Sequence, residues 1–324
     1  MRPPGGLSQR KLGGYTKAQF REPAVDPLSY GIQRSEPRRA VLVRHWLLHL
    51  ACLGVFFVSL TPALLAWAVG GYFVRVFSWE AGAHRYFSHR SFKTSRAFQL
   101  FLAVLSAAAA NRGPIWWAAH HRHHHRVSDT NADLHSPLVH SLEHSHIGWL
   151  FDMLDTDLDA AKDLARFPEL VWVNRYHYIF PLITLMAFVL LGQFTAVFGR
   201  TGMGASAAVW GFFVPTALSI HASLILNSVL HRRRLGPLFD RPYVTGEASV
   251  NAWWLALPTL GAAWHNNHHR YMNAARAGFR WHQLDVVYLV LRSLSAVGLV
   301  WELRPVPVEV LAEAGQATSG DRGR

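Results

Sequence analysis

The chain has 324 residues, of which 51% are hydrophobic and only 16% charged, against about 25% charged in an ordinary soluble domain; a membrane protein is the expectation. Its net charge of +12 flanks apolar runs rather than forming a stripe on a soluble motif, which argues against nucleic acid and suits the anionic inner face of a bilayer. The single cysteine, Cys52, lies inside an apolar run and excludes a disulfide framework or a Cys-based zinc site within one chain.

Residues 1–37 are rich in Pro, Gly and charge and have no apolar core of the signal-peptide kind; a disordered cytosolic tail is expected. From Trp46 to Val74 there are 29 residues without Asp, Glu, Lys or Arg, long for one crossing of about 20 residues and short for two. Thr61-Pro62 divides the run, and proline starts helices but breaks their interiors. The reading is a hairpin, with one transmembrane helix over about 40–60 and a second over about 62–83. Arg75 and Glu80, near the end of the second, should face protein rather than lipid. Residues 97–110 are apolar but too short to cross, which predicts an interfacial or re-entrant helix. Residues 179–198 and 205–230 are the third and fourth spans, and 251–264 is again too short. The expectation is an all-α integral membrane protein with four transmembrane helices and one domain over 38–305, ending in a flexible C-terminal tail over 306–324.

Nine of the 20 histidines stand out: His84 and His89, then His121, His124 and His125, then His231, then His265, His268 and His269. Two crossings precede His84, two more precede His231, and none falls elsewhere between these positions. All nine therefore lie on one membrane face. Nine Lys and Arg precede residue 45, and the positive-inside rule puts that face in the cytoplasm. In His121-x-x-His124-His125 and His265-x-x-His268-His269 the i, i+3 and i+4 residues share one side of a helix. Adjacent histidines diverge by about 100°, so one can serve one metal and its neighbour a second. His84 and His89, five apart, suit a helix end where the chain turns. One metal takes about four to six ligands, so nine point to two ions.

Imidazole suits Zn, Cu, Fe and Ni alike, so the ligands alone do not choose the metal. No His-Glu-x-x-His zinc-hydrolase motif, Rossmann fingerprint, P-loop or haem motif is present, and electrons for redox chemistry must come from a partner. His45, His49, His177 and His221 read as isolated polar residues, and His120 and His123 as surplus neighbours. A metal-sequestering histidine tract would not explain the same spacing 140 residues further on. A divalent-metal transporter would need more polar residues at mid-membrane.

Three blocks, HRYFSH at 84–89, HRHHHRVSDTNADLHSP at 121–137 and WHNNHH at 264–269, with HIGWL at 146–150, NSVLH at 227–231 and FRWH at 279–282, resemble the membrane-bound fatty acyl desaturases, specifically the stearoyl-CoA (delta-9) type. The likeness covers roughly residues 40–305 and implies that 38–305 is a fatty acid desaturase domain. It implies four transmembrane helices under a cytosolic helical cap that holds two iron ions. One iron would take His84, His89, His121, His125 and His268; the other His124, His231, His265 and His269, with Asn227 reaching it through water. The implied reaction is O2-dependent formation of a cis double bond in a saturated acyl chain, most simply acyl-CoA. Electrons would come from an external donor of the cytochrome b5, ferredoxin or rubredoxin type with its reductase. A diiron lipid or alkane hydroxylase of the same histidine-box group is the alternative. The chain departs from the animal members at Trp117-Ala118-Ala119-His120 and at Phe151-Asp152-Met153. There the family helps hold the CoA head group, so an acyl-lipid or acyl-carrier-protein substrate stays open.

Overall fold

The computed structural model describes residues 32–152, 155–232 and 236–320. Most of the expected N-terminal tail, Met153 of the departure noted above, and the end of the expected C-terminal tail lie outside them. The fold is mostly helical, with two small strand pairs.

Strand β1 (Ile32–Gln33) precedes helix α1 (Arg38–Cys52), which runs into one 3-10 turn, Leu53–Phe56. No residue of α1 is buried; Trp46, Leu47 and Leu50 are exposed by 58%, 60% and 58%, an apolar face with lipid as its natural solvent. Helix α2 (Pro62–Phe77) begins where the sequence places it: Pro62 takes the first position, and the Leu64 N–H donates to the Thr61 hydroxyl at 3.1 Å. It then continues as a π-helix, Ser78–Ser88, buried throughout except at Tyr86. The i→i+5 bond of such a helix, here His89 N–H to His84 C=O at 3.2 Å, stacks His84 and His89 on one face. The widened helix closes at His89, its C-cap, so the five-residue spacing falls at a helix end, as expected, and the wider turn is what brings the two rings together.

Strand β2 (Lys93–Thr94) leads to α3 (Arg96–Ala108), α4 (Pro114–Val127), α5 (Leu142–His146) and strand β3 (Thr156–Asp157). Helix α6 (Pro168–Arg175) bends by 67° into α7 (Ile179–Phe194). Helix α8 (Gly204–Ser228) contains a π segment, Ala208–Phe213. Helices α9 (His265–Arg270) and α10 (Val286–Ala296), strand β4 (Val300–Trp301) and α11 (Val308–Gly320) complete the chain. Among the described residues, two helices are long and apolar enough to cross a membrane, Arg38–Phe56 and Gly204–Ser228, or three if α6 and α7 form one bent span. Helix α2, at 16 residues, approaches that length only through the π-helix it enters.

The described parts of both expected tails are ordered against the body. Strand β1 pairs antiparallel with β3, and the Ser35 N–H donates to Asp155 at 2.6 Å. Helix α11 buries Val310 and Ala314 beside Tyr243, Ala274 and Phe279. Short amphipathic segments of this kind gain their order from tertiary contact rather than from local propensity.

The core gathers around the π-helix, where Trp79 and Phe87 pack with Phe92, Leu102 and Ile115. Buried charge locks the frame. Arg85 donates to Glu80 at 2.9 Å and Asp285 at 3.0 Å, all three side chains being at most 3% exposed. Arg122 of α4 donates to the carbonyls of Phe87 and Ser88 and to Asp163, pinning α4 to the end of the π-helix. Arg75 turns inward as expected, donating to the Gly71 carbonyl at 2.9 Å.

Candidate metal centre

Each histidine block sits on a rigid element. The π-helix brings His84 and His89; α4, started by Pro114 and by the Trp116 N–H donating to Asn174 at 2.8 Å, brings His121, His124 and His125. His231 follows the end of α8, and α9 carries His265, His268 and His269. The nine converge as two adjoining groups. In the first, Nε2 atoms face one another at 3.0 Å between His84 and His268, 2.9 Å between His89 and His121, 3.0 Å between His121 and His125, and 3.0 Å between His125 and His268. In the second, His231 and His265 approach at 2.9 Å and His265 and His269 at 3.2 Å, and His124 lies with His231 and His269. The groups touch where the His125 and His269 rings come within 4.5 Å. Asn227 lies in the wall of the same cavity as His265. His120 turns aside to donate to the Trp116 carbonyl, and His123 reaches the Ala132 carbonyl.

Carboxylates behind the rings fix their tautomers. The Nδ1–H groups of His84, His124 and His231 donate to Glu80 at 2.7 Å, Asp133 at 3.1 Å and Asp129 at 3.1 Å, and Glu247 lies 3.8 Å from His269 Nδ1. Their Nε2 lone pairs therefore point inward, the arrangement of metal-binding imidazoles. Lone pairs at 3 Å repel unless a hydrogen or a cation lies between them. Here His121, His125, His268 and His265 each face two other Nε2 atoms at once, which a single hydrogen cannot satisfy and a central cation can. The spacing suits ligands around one ion, roughly 1.4 times a metal–imidazole bond of about 2.1 Å.

Protonation agrees. Burial first, and neighbouring imidazoles second, hold His89, His121, His125, His265, His268 and His269 well below the usual imidazole range. Neutral rings are the ligand form. His231 goes the other way: burial lowers its pKa, but the bond to Asp129 and the charge of Glu247 outweigh this and raise it. Burial raises the Asp129 and Asp133 carboxyls, yet their histidine partners hold both below the carboxylate range.

The carboxylates are what the histidine blocks do not announce. Glu80 was legible in principle, one helical turn before His84. Asp129, Asp133 and Glu247 reach their rings through loops, and spacing gives no sign of them. His135 was also passed over: its buried ring packs against His124 at 4.5 Å and lines the adjoining cavity. Three histidines read as isolated, His45, His49 and His221, are instead neighbours, joined by ring contacts at 4.1 and 5.2 Å.

That cavity has a volume of about 540 Å³. Its wall is mostly apolar, with Leu48, Trp79, Trp117, Leu185, Leu224 and Leu226, and His84, His121 and His265 open onto it. A largely apolar space lined in part by the histidine cluster suits a hydrocarbon chain.

The fatty acid desaturase family matches this chain over residues 62–301. An acyl-CoA 5-desaturase of Anemone leveillei is 34% identical over 267 residues, 81% of this chain and 78% of its own. A hex-5-enoyl-(acyl-carrier protein) acetylenase of Moorena producens is 31% identical, covering 76% and 78%. An sn-1 stearoyl-lipid 9-desaturase of Anabaena variabilis is also 31% identical, covering 74% and 82%. With its histidine cluster at an apolar cavity, this chain belongs to the fatty acid desaturase family, oxidoreductases that act on acyl chains.

Proposed function

We propose that this protein is an O2-dependent acyl desaturase that introduces a cis double bond at the delta-9 position of a saturated acyl-CoA, using two iron ions and electrons from an external cytochrome b5, ferredoxin or rubredoxin-type donor. The observation that carries it is the opening of the close-packed imidazole cluster onto the apolar cavity. His84, His89, His121, His125 and His268 hold one iron; His124, His231, His265 and His269 hold the other, with Asn227 acting through water. The irons, when bound, supply O2 activation and hydrogen abstraction. The protein's own part is positioning. Trp79 and Trp117 close the cavity beside His84, their rings 6.5 Å apart and Trp117 5.9 Å from that histidine. They keep water from the methylenes presented to the cluster. Four membrane crossings, with the histidines in a cytosolic cap, keep both iron groups on one face; the basic residues before α1 support that orientation.

Delta-9 and acyl-CoA are the finest parts of the proposal. The relatives' names span positions 5 and 9 and three carriers. Support for a phosphate-bearing carrier comes from the cavity wall: Arg44, Arg112 and His177 line it and all turn toward Glu36, with Arg112 at 3.6 Å and His177 at 3.4 Å. An anionic head group would find two guanidinium groups there in exchange for one carboxylate. The fatty-acid profile of a desaturase-deficient host expressing the chain is the test, with assays on purified acyl-CoA for the carrier. A product two hydrogens lighter supports the reading, and one heavier by a single oxygen would replace it with hydroxylation.

Asn227→Ala is expected to keep most of the iron and lose most of the turnover, about 10–100-fold. Asn227 stands one helical turn before His231, and amide oxygen is a weaker donor than imidazole. Metal content and turnover measured on one preparation check this; full activity would leave Asn227 a structural role only.

A further inference from the structure

A second cavity, between α2, α3 and α7, shares no wall residue with the one beside the histidines. Its volume is about 470 Å³, within the range of roughly 300–1,000 Å³ of small-molecule sites. Ala66, Trp67, Gly70 and Val74 of α2, Leu105 of α3 and Phe188 of α7 line it. Trp67 and Val74 are 45% and 52% exposed, so the cavity opens on the exposed apolar side of α2. Small residues leave it room: a Cβ added at Gly70 would meet nothing within 4 Å.

One side chain in this wall is charged, Arg75. It is 6% exposed and forms no ion pair among the described residues. Its Nη1 donates to the Gly71 carbonyl at 2.9 Å, its Nη2 only reaches the Gly211 carbonyl at 3.4 Å, and its Nε has no partner. The guanidinium lies 5.5 Å from the Phe212 ring, which attracts a cation without neutralising it. Arg85, just as buried, sits between two carboxylates. An arginine is always charged, and a charge between apolar helices without a counter-ion is costly and marks a functional site by default. Nε and Nη2 form the edge that meets a carboxylate through two parallel hydrogen bonds, and in Arg75 that is the edge the protein leaves least occupied.

We propose that this second cavity binds a long-chain carboxylate drawn from the bilayer, with its chain between α2 and α7 and its head on Arg75. The site is separate from the acyl cavity and needs no metal. Binding rotates the Arg75 head so that its Nε edge meets the carboxylate. Ala66 and Arg75 lie nine positions apart, about 14 Å along a helix, so the cavity takes the head and the first part of a chain. The chemistry of the head decides between occupants. A carboxylate ends its chain and can be buried end-on against Arg75. A phospholipid phosphate is substituted on both sides, so its polar head group would have to be buried with it. An inorganic anion would leave the apolar wall uncovered.

The test uses the full-length protein in phosphatidylcholine nanodiscs, labelled by light with a hexadecanoate that carries a diazirine on its chain. Adducts are expected on Trp67, Leu105 or Phe188. Arg75→Gln should lower this labelling by about tenfold or more, and hexadecanol with the same diazirine should label native protein no better than hexadecanoate labels the variant. Gly70→Phe keeps Arg75 and fills the cavity, so it should lose the labelling as well; it serves if Arg75→Gln fails to fold. Excess unlabelled hexadecanoate should compete the adducts away, and phosphatidic acid should not. Equal labelling by the alcohol would overturn the proposal and leave an apolar groove. Undiminished labelling in Gly70→Phe, adducts confined to the acyl cavity at Leu48, Leu185 and Leu224, or displacement by phosphatidic acid alone would each overturn it too.

Discussion

His268→Ala is expected to abolish desaturation and to empty the first metal group while leaving the fold in place. His268 is the link between the two halves of that group: its Nε2 lies 3.0 Å from His84 on the π-helix and 3.0 Å from His125 on α4. No other residue of α9 joins these ligands, so α4 and the π-helix would hold the remaining four without closing the ring. Removing a residue that merely orients a ligand costs roughly 10–100-fold in affinity or activity, and loss of the ligand itself should exceed that. Iron content falling by half, with helical circular dichroism unchanged, is the expected pair of readings. His282→Ala is the control, since that ring is exposed, lies against Trp281 and belongs to neither histidine group. Retained iron and activity in His268→Ala would remove His268 from the metal centre.

Arg85→Ala should have the largest effect on stability. Its guanidinium sits between Glu80 and Asp285 and also donates to the Ala275 carbonyl at 2.7 Å, in a space with almost no solvent. Truncation strands two buried carboxylates and a carbonyl, and breaking such a group by removing one partner typically destabilises by about 3–5 kcal/mol. Set against a total stability of about 5–15 kcal/mol, that brings the protein close to unfolding at ordinary temperature. Glu80 also holds His84 Nδ1, so surviving protein should bind metal poorly. Thermal unfolding in detergent measures the effect; an unchanged midpoint would mean that the carboxylates find other partners.

The nine histidines and the apolar runs were legible because both are local signals. Helical spacing sets who shares a face, and hydrophobic length sets what a membrane will accept. The start of α2 was legible too, since Thr61-Pro62 caps a helix by its own chemistry. The contacts of Asp129 with His231, and of His49 with His221, were not: they join residues 102 and 172 positions apart, and no spacing rule reaches that far. The π-helix was missed for a different reason. A widened turn carries no compositional mark, and a five-residue spacing of ligands was its one trace. The order of the described stretches of the two expected tails was not legible either, because polarity and Pro/Gly content describe a segment alone. Strand β1 and helix α11 are ordered by what they dock on.

The π-helix has a consequence for how this stretch can change. Deleting one residue between His84 and His89 would restore the familiar four-residue spacing and would look harmless in an alignment. Yet it would rotate everything beyond it by about 100° and shift it by about 1.5 Å. Phe92 would leave the core, and Lys93 and Thr94 would lose their register with Trp301 and Val300. Side chains along 78–88 that bind nothing can be exchanged one at a time and judged by size. The number of residues in the stretch cannot be altered, so an insertion or deletion here is a change of fold rather than of sequence.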